Sequence, residues 1–157
     1  MIYAVIGVGP RSGTSFVMHK LEEAGLSMFY DPDIYEPDED NPHGYYECDP
    51  VAVQEQDGVV AKMWPSPIIN QVGIARAVVL RRFDRDAQLK SIKGRMAVEK
   101  EACDRLGLSA EQYIDIPESI VNAGLMFEHR TFFTENLDSS IDEIIEYMSE
   151  PKTRSIN

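Results

Sequence analysis

The sequence has few cysteines, little positive charge and no long apolar run. Its two cysteines, Cys48 and Cys103, are too few for a disulfide framework and lack a metal-ligand spacing, which favours reduced thiols in a cytoplasm. No apolar run approaches the roughly 20 residues needed to cross a bilayer. The N-terminus, MIYAVIGVG, lacks the basic region of a secretory signal peptide. These absences predict a cytoplasmic protein with no membrane segment.

Basic residues are scarce and unevenly placed. The 157 residues include 15 Lys and Arg against 27 Asp and Glu, a formal net charge of −12. This balance argues against a surface that binds nucleic acid or an anionic membrane. The stretch 31–57 has no Lys or Arg, whereas 81–95 is rich in both. A basic island in an acidic chain indicates an anion site; the alternative is a solvated helix face that balances the acidic segment.

Short apolar runs and amphipathic segments alternate along the chain, and 43% of the residues are hydrophobic. The alternation predicts an α/β fold with three α/β/α layers around a central, mainly parallel sheet, in one domain over residues 1–157. In chain order, the patterns predict a strand at 2–6, a helix at 13–24, strands at 59–63 and 77–80, a helix at 86–106, a capping box at 109–112, a helix from Pro117 to about His129, a strand at 131–134 and a helix that opens with a capping box at 140–143.

The first predicted strand leads into a glycine-rich loop, which reads IGVGPRSGTSF at residues 6–16. A strand, a glycine-rich turn and a helix form the context in which free N–H groups at a helix N-terminus bind phosphate. ATP- and GTP-binding loops read G-x-x-x-x-G-K-[ST]. Aligned on Gly13, this chain has Val8 at the first glycine position and Thr14 at the lysine position. The missing lysine argues against ATP or GTP hydrolysis, while Arg11 supplies a cation inside the loop. The alternative is a tight turn with incidental polar residues.

The segment GPRSGTS resembles the 5′-phosphosulfate-binding loop of the sulfotransferase family, whose donor is 3′-phosphoadenosine-5′-phosphosulfate. Further segments are similar to the family in the expected order. They are NPHGYYE at 41–47, Lys62 at the end of the run VVAKM, VVLRRFDRDAQLKS at 78–91 and FFTENLDSSIDEIIEYM at 132–148. The resemblance spans about residues 3–149. It implies a P-loop NTPase-like fold in a short bacterial- or phage-type member.

The resemblance assigns two phosphate sites. In the first, Arg11 and the amides that follow it bind the leaving 5′-phosphate: Ser12, Gly13, Thr14 and Ser15. In the second, Arg82 and the helix after it bind the 3′-phosphate, together with a serine that usually follows the arginine by eight positions. Ser91 is the ninth residue after Arg82. Either the intervening loop carries an extra residue, or Lys90 takes the place of the serine.

The implied reaction transfers a sulfuryl group in line to a hydroxyl or amine and requires no metal. Lys62 matches a catalytic lysine of the family. Members of the family use either a histidine or a glutamate as general base, so His43 and Glu47 are both candidates. The alternative for each, taken alone, is an ordinary solvated loop residue. Glu36 is a weaker candidate.

The acceptor is expected to be a small molecule or a glycan. Tyr45, Tyr46 and Trp64 are candidates to line its pocket, although aromatic residues near a strand end are also common in cores. The acidic segment disfavours a polyanionic acceptor. Two other functions stay open, a nucleotide or nucleoside kinase on a related fold and a binding protein that has lost catalysis. The sequence makes no prediction of oligomeric state.

Overall fold

The computed structural model describes residues 1–34, 37, 39, 41–98 and 107–151, with the side chains of 96–98 left undescribed. The elements in this part of the chain are β1 (Ile2–Gly7), α1 (Thr14–Glu23), β2 (Val60–Met63), β3 (Ile74–Arg81), α2 (Arg85–Val98), α3 (Gln112–Ala123), β4 (Glu128–Phe133) and α4 (Leu137–Ser149). Single turns of 3₁₀ helix lie at Ala52–Glu55, Ile69–Gln71 and Thr134–Asn136. None of the described helices combines the length and apolar character needed to cross a bilayer.

The four strands form one sheet in the order β2-β1-β3-β4, and every neighbouring pair is parallel. At the centre of β1, Val5 lies opposite Lys62 of β2 and Val78 of β3. The predicted α/β fold with a parallel sheet is therefore confirmed, with β1 in the interior. Because parallel strands all point the same way, the loops that follow β1, β2 and β3 leave the same edge of the sheet.

Both faces of the sheet are covered. On one face Val5 and Val78 pack in a cluster with Leu21 of α1 and Ile144 of α4. On the other face the alternate residues of β1, Ala4 and Ile6, share a cluster with Val53 and Ile69, and α3 packs against it. This double coverage explains the continuous apolar run of β1, and it is compatible with the predicted three layers.

The third helix differs from the prediction. The capping box is confirmed, because Ser109 N donates to Gln112 Oε1 at 2.7 Å and Gln112 N donates to Ser109 Oγ at 3.2 Å. The helix starts there, at Gln112, so Pro117 lies inside it and does not begin it. It ends at Ala123, ahead of Gly124 with φ 115°. His129 therefore lies in β4 and caps no helix; its Nδ1 is 2.9 Å from the Phe127 carbonyl oxygen.

The ends of other strands and helices differ from the prediction by smaller amounts. Strand β3 begins at Ile74, three residues before the predicted start, and α4 begins at Leu137 rather than at Ser140. The Ser140–Glu143 pattern is therefore an internal part of α4, and the prediction that it opens the helix was wrong. Helix α2 follows the prediction as far as Val98; the remainder of the predicted helix, including Cys103, lies outside the described residues.

Candidate functional site

A cavity of about 460 Å³ opens at the edge of the sheet where β1 and β2 end. Its walls come from the loop after β1, the first turn of α1, the residues around the end of β2, helix α2 and part of the segment 41–47. Parallel α/β sheets bind ligands outside the carboxyl ends of their strands. The glycine-rich loop and its surroundings thus occupy the expected position for a ligand site.

The backbone of the loop alternates in conformation. Gly9, Arg11 and Gly13 have φ of 84°, 63° and 92°, in the left-handed region that favours glycine. Space also requires glycine, since a Cβ at residue 9 would lie 2.9 Å from the Tyr113 carbonyl oxygen, and one at residue 13 would lie 2.6 Å from Leu137 Cδ1. Of these three loop residues, Arg11 adopts this conformation with a side chain, and backbone strain of this kind is a common feature of functional sites.

Helix α1 begins at the end of this loop. The N–H groups of a first helical turn have no intrahelical acceptor. Gly13 occupies the N-cap without a side-chain bond, and the described first turn of α1 contains no acidic residue. Thr14 and Ser15 also line the cavity. The positive end of the helix dipole therefore faces the cavity without a carboxylate of its own turn.

Cationic side chains predominate around the cavity. Among the described residues that line it, the basic ones are Arg11, Lys62, Arg82 and Arg95, and the acidic one is Glu47. This excess of positive charge occurs in a chain whose net charge is −12. The described part of the chain contains no group of three or more His, Cys, Asp or Glu that could hold a metal ion. The arrangement suits an anion.

The two predicted phosphate elements meet at Arg11. Arg11 Nε donates to Ser91 Oγ at 3.0 Å, and Arg82 Nη1 donates to the Arg11 carbonyl oxygen at 3.4 Å. Ser91 and Arg82 both line the cavity, whereas Lys90 is exposed and is not among the described residues that line it. Of the two residues considered for the serine position, the structure brings Ser91 to the loop and turns Lys90 away.

Besides its bond to the Arg11 carbonyl oxygen, Arg82 forms a long ion pair with Glu135. Its Nε lies 3.5 Å from Glu135 Oε1 but is buried without a hydrogen bond to any described residue. Glu135 accepts the backbone N–H groups of Phe83 at 3.0 Å and Asp84 at 3.3 Å. Burial opposes ionisation of this carboxyl, but the two N–H groups and Arg82 hold its pKa below the usual glutamate value. Glu135 thus orients the guanidinium without using all of its donors.

Lys62 and Glu47 form an ion pair in the wall of the cavity. Lys62 Nζ lies 2.6 Å from Glu47 Oε1 and donates to the Tyr45 carbonyl oxygen at 2.9 Å. Both charged groups line the cavity. The structure therefore joins the predicted catalytic lysine to one of the two base candidates.

His43, the other base candidate, lies elsewhere. It is exposed, and its ring stacks on His19 with centroids 3.7 Å apart and an interplanar angle of 4°. His43 is not among the described residues that line the cavity. Glu36, the weaker candidate, lies outside the described residues.

The aromatic candidates divide between two environments. Tyr45 and Trp64 line the cavity. Tyr46 is buried against α1, where its hydroxyl donates to Glu22 Oε1 at 3.1 Å. Tyr46 therefore anchors the segment to α1 and does not line the cavity. Its neighbours on either side, Tyr45 and Glu47, both line the cavity.

Several residues of the site were missed by the sequence analysis. Arg95 Nη2 donates to the Tyr45 hydroxyl at 2.8 Å, and its position four residues after Ser91, on the same helix face, was an available signal. Thr134 lines the cavity, and Gln88 is buried beneath the loop. The contacts of Thr134 and Gln88 with the loop join residues far apart in sequence, so no local pattern could have revealed these two residues.

Comparisons with known proteins add no family assignment. No family model matches this chain, and a search of curated proteins finds no match for it.

Proposed function

We propose that this chain is a sulfotransferase of P-loop NTPase-like fold, which transfers a sulfuryl group from 3′-phosphoadenosine-5′-phosphosulfate to a hydroxyl or amine. The observation that carries the proposal is the contact of Arg11 with Ser91. Two segments that resemble the family's separate phosphate sites are 80 residues apart in sequence and are joined by this 3.0 Å hydrogen bond in one cationic cavity.

The 5′ side of the donor binds the loop after β1. When the S–O bond to the 5′-phosphate breaks, negative charge increases on the leaving phosphate. Fixed N–H groups and a cation directed at that charge lower the barrier. The loop amides, the first turn of α1 and the Arg11 guanidinium supply both.

The 3′-phosphate distinguishes this donor from ordinary nucleotides, and Arg82 and Ser91 are its proposed ligands. Arg82 places its guanidinium beside the loop, where Nη1 donates to the Arg11 carbonyl oxygen at 3.4 Å, and the Ser91 hydroxyl has its own hydrogen to donate while it accepts from Arg11. Both residues line the cavity beside the 5′ loop. Recognition of two phosphates in one cavity is consistent with its excess of cations.

Glu47 is the better supported general base, because it lines the cavity and His43 does not. In the proposed step the acceptor oxygen or nitrogen forms a bond to sulfur, the bond from sulfur to the 5′-phosphate oxygen breaks, and Glu47 accepts the acceptor's proton. Lys62 holds the carboxylate in position through the 2.6 Å contact and is close enough to the same cavity to meet the transferred group.

The acceptor side of the cavity is partly apolar. Phe16 and Trp64 line it with 38% and 44% of their surfaces exposed, together with Tyr45. Exposed aromatic rings at a cavity indicate a ligand with an apolar or flat face. A small molecule with such a face is the proposed acceptor class.

Calorimetry with nucleotides tests this proposal. Adenosine 3′,5′-bisphosphate should bind more tightly than adenosine 5′-monophosphate by about 2–4 kcal/mol, the scale of one or two charge-assisted hydrogen bonds. Arg82→Ala should remove most of that preference and leave monophosphate binding nearly intact. Equal affinity for the two nucleotides in the unmodified protein would overturn the proposal, and tight Mg-ATP binding would indicate a kinase instead.

Transfer itself needs a second measurement. The protein is incubated with ³⁵S-labelled donor and mixtures of phenols, alcohols and amines, and label in the acceptor fraction is counted. Glu47→Gln is the matched negative control. Bisphosphate preference without transfer to any mixture would identify a nucleotide-binding relative that lacks catalysis.

A further inference from the structure

Side chains hold the backbone carbonyl groups of residues 8–12 in the loop. Five consecutive carbonyl oxygens accept hydrogen bonds from side chains. The pairs are Val8 with Gln88 Nε2 at 3.0 Å, Gly9 with Ser12 Oγ at 3.0 Å, Pro10 with Gln88 Nε2 at 3.0 Å, Arg11 with Arg82 Nη1 at 3.4 Å and Ser12 with Thr134 Oγ1 at 2.6 Å. Such complete side-chain bonding of a loop fixes the orientation of each peptide plane.

Two side chains hold every second carbonyl. Gln88 binds those of Val8 and Pro10, and Thr134 binds that of Ser12. In a trans peptide the N–H of the next residue points opposite to the carbonyl. The N–H groups opposite the three held carbonyls belong to residues 9, 11 and 13.

Those three residues share two further properties. Gly9, Arg11 and Gly13 are the loop residues with positive φ, and all three line the cavity. Backbone in which left-handed residues alternate with others forms concavities whose N–H groups bind anions. Gln88, in contrast, is 2% exposed and is not among the described residues that line the cavity.

The donor capacity of both side chains is committed to the loop. A glutamine amide nitrogen has two hydrogens, and Gln88 has two carbonyl acceptors at 3.0 Å. The threonine hydroxyl has one hydrogen, and Thr134 lies closer to the Ser12 carbonyl, at 2.6 Å, than to that of Arg81, at 3.1 Å. Neither residue has a donor left for a ligand, so any effect on anion binding acts through the loop.

We propose that Gln88 and Thr134 form a carbonyl clamp, two positioning residues that preform the anion site by directing the N–H groups of Gly9, Arg11 and Gly13 into the cavity. The clamp deepens the proposed function, because it assigns the 5′-phosphate contacts to alternate amides. The proposed contacts are backbone N–H groups that require only an anion. The clamp can therefore be tested with inorganic phosphate as well as with nucleotides.

The test uses ¹⁵N NMR titration of the full chain with inorganic phosphate and adenosine 5′-monophosphate. Gln88→Met and Thr134→Val keep the size of each side chain and remove its donor, Thr134→Ser keeps the hydroxyl, and Thr131→Val in β4 is a matched control. We expect phosphate to shift the amide signals of residues 9, 11 and 13. Each donor-removing variant should bind both ligands about tenfold more weakly, since the amides are no longer prepositioned, and Thr134→Ser and Thr131→Val should bind normally.

The outcomes separate this proposal from the sulfotransferase assignment. Phosphate shifts at the three amides with no preference for the bisphosphate would support the clamp and overturn the sulfotransferase. Absence of those shifts in the unmodified protein would overturn the clamp, whichever nucleotide binds. Folded Gln88→Met and Thr134→Val proteins with unchanged affinity would overturn it too, and so would a loss in Thr134→Ser as large as that in Thr134→Val.

Discussion

Replacement of Arg11 by alanine and by glycine separates two properties of this residue, its charge and its backbone conformation. Arg11 combines a guanidinium bonded to Ser91 at 3.0 Å with φ of 63°. Both substitutions remove the guanidinium, but only glycine also relieves the left-handed strain.

The magnitudes follow from the geometry. Loss of the partly buried bond to Ser91 should cost each variant about 1 kcal/mol of unfolding free energy. Glycine regains about 1–2 kcal/mol of left-handed strain, less about 0.5–1 kcal/mol for the greater freedom of the unfolded chain. Arg11→Gly should therefore be at least as stable as Arg11→Ala, by a difference of about 0–1.5 kcal/mol. Binding of the bisphosphate should weaken by about 1.5–3 kcal/mol in both, since both lose the same charged donor.

Urea denaturation of nucleotide-free protein measures the first difference, and calorimetry measures the second. Arg11→Lys is the control, because it keeps a positive charge and should retain part of the affinity. An alanine variant more stable than the glycine variant would show that residue 11 is not left-handed in solution. Unchanged bisphosphate affinity in Arg11→Ala would remove the loop from the binding site.

Two further predictions concern the second phosphate element. Ser91→Ala should reduce the preference for bisphosphate over monophosphate in calorimetry, whereas Lys90→Ala, which alters an exposed side chain on the same helix, should not; the reverse result would mean that the register of α2 is shifted. Glu135→Gln should lower the thermal midpoint at neutral pH. The lowered pKa of Glu135 contributes stability that is present above the unfolded-state pKa and is lost as the pH falls through the folded-state pKa. The difference between variant and unmodified protein should therefore shrink as the pH falls below the unfolded-state pKa. A difference that is constant with pH would exclude an ionised Glu135.

The sheet was predictable because its strands carry their own signal. Strands covered on both faces of a parallel sheet are mostly apolar, so the run at β1 indicates a buried strand before any partner is known. Helix ends were less predictable. Pro117 suits a first helical position, and the prediction placed a helix start there although the capping box at Ser109 had already begun the helix. The position of His129 followed from that error.

The glycine-rich loop shows what the sequence alone determined about the site. Its conformational requirements are contained within a few adjacent residues, since Gly9 and Gly13 permit positive φ and the helix after them supplies free N–H groups. The sequence of the loop was enough to predict an anion site with a cation at Arg11. It also showed that the lysine of ATP- and GTP-binding loops is absent.

The rest of the site was decided by tertiary structure. The choice between Lys90 and Ser91 depends on the rotation of α2, where one residue corresponds to about 100°. The turn before α2 is held by the bonds of Glu135 to Phe83 and Asp84. The separation of His43 from Glu47 follows similarly from the burial of Tyr46 against α1. Gln88 and Thr134 reach the loop from elements 78–80 and 122 residues away from the carbonyls they bind. Contacts of this kind depend on how whole elements pack, and no spacing within a single segment encodes them.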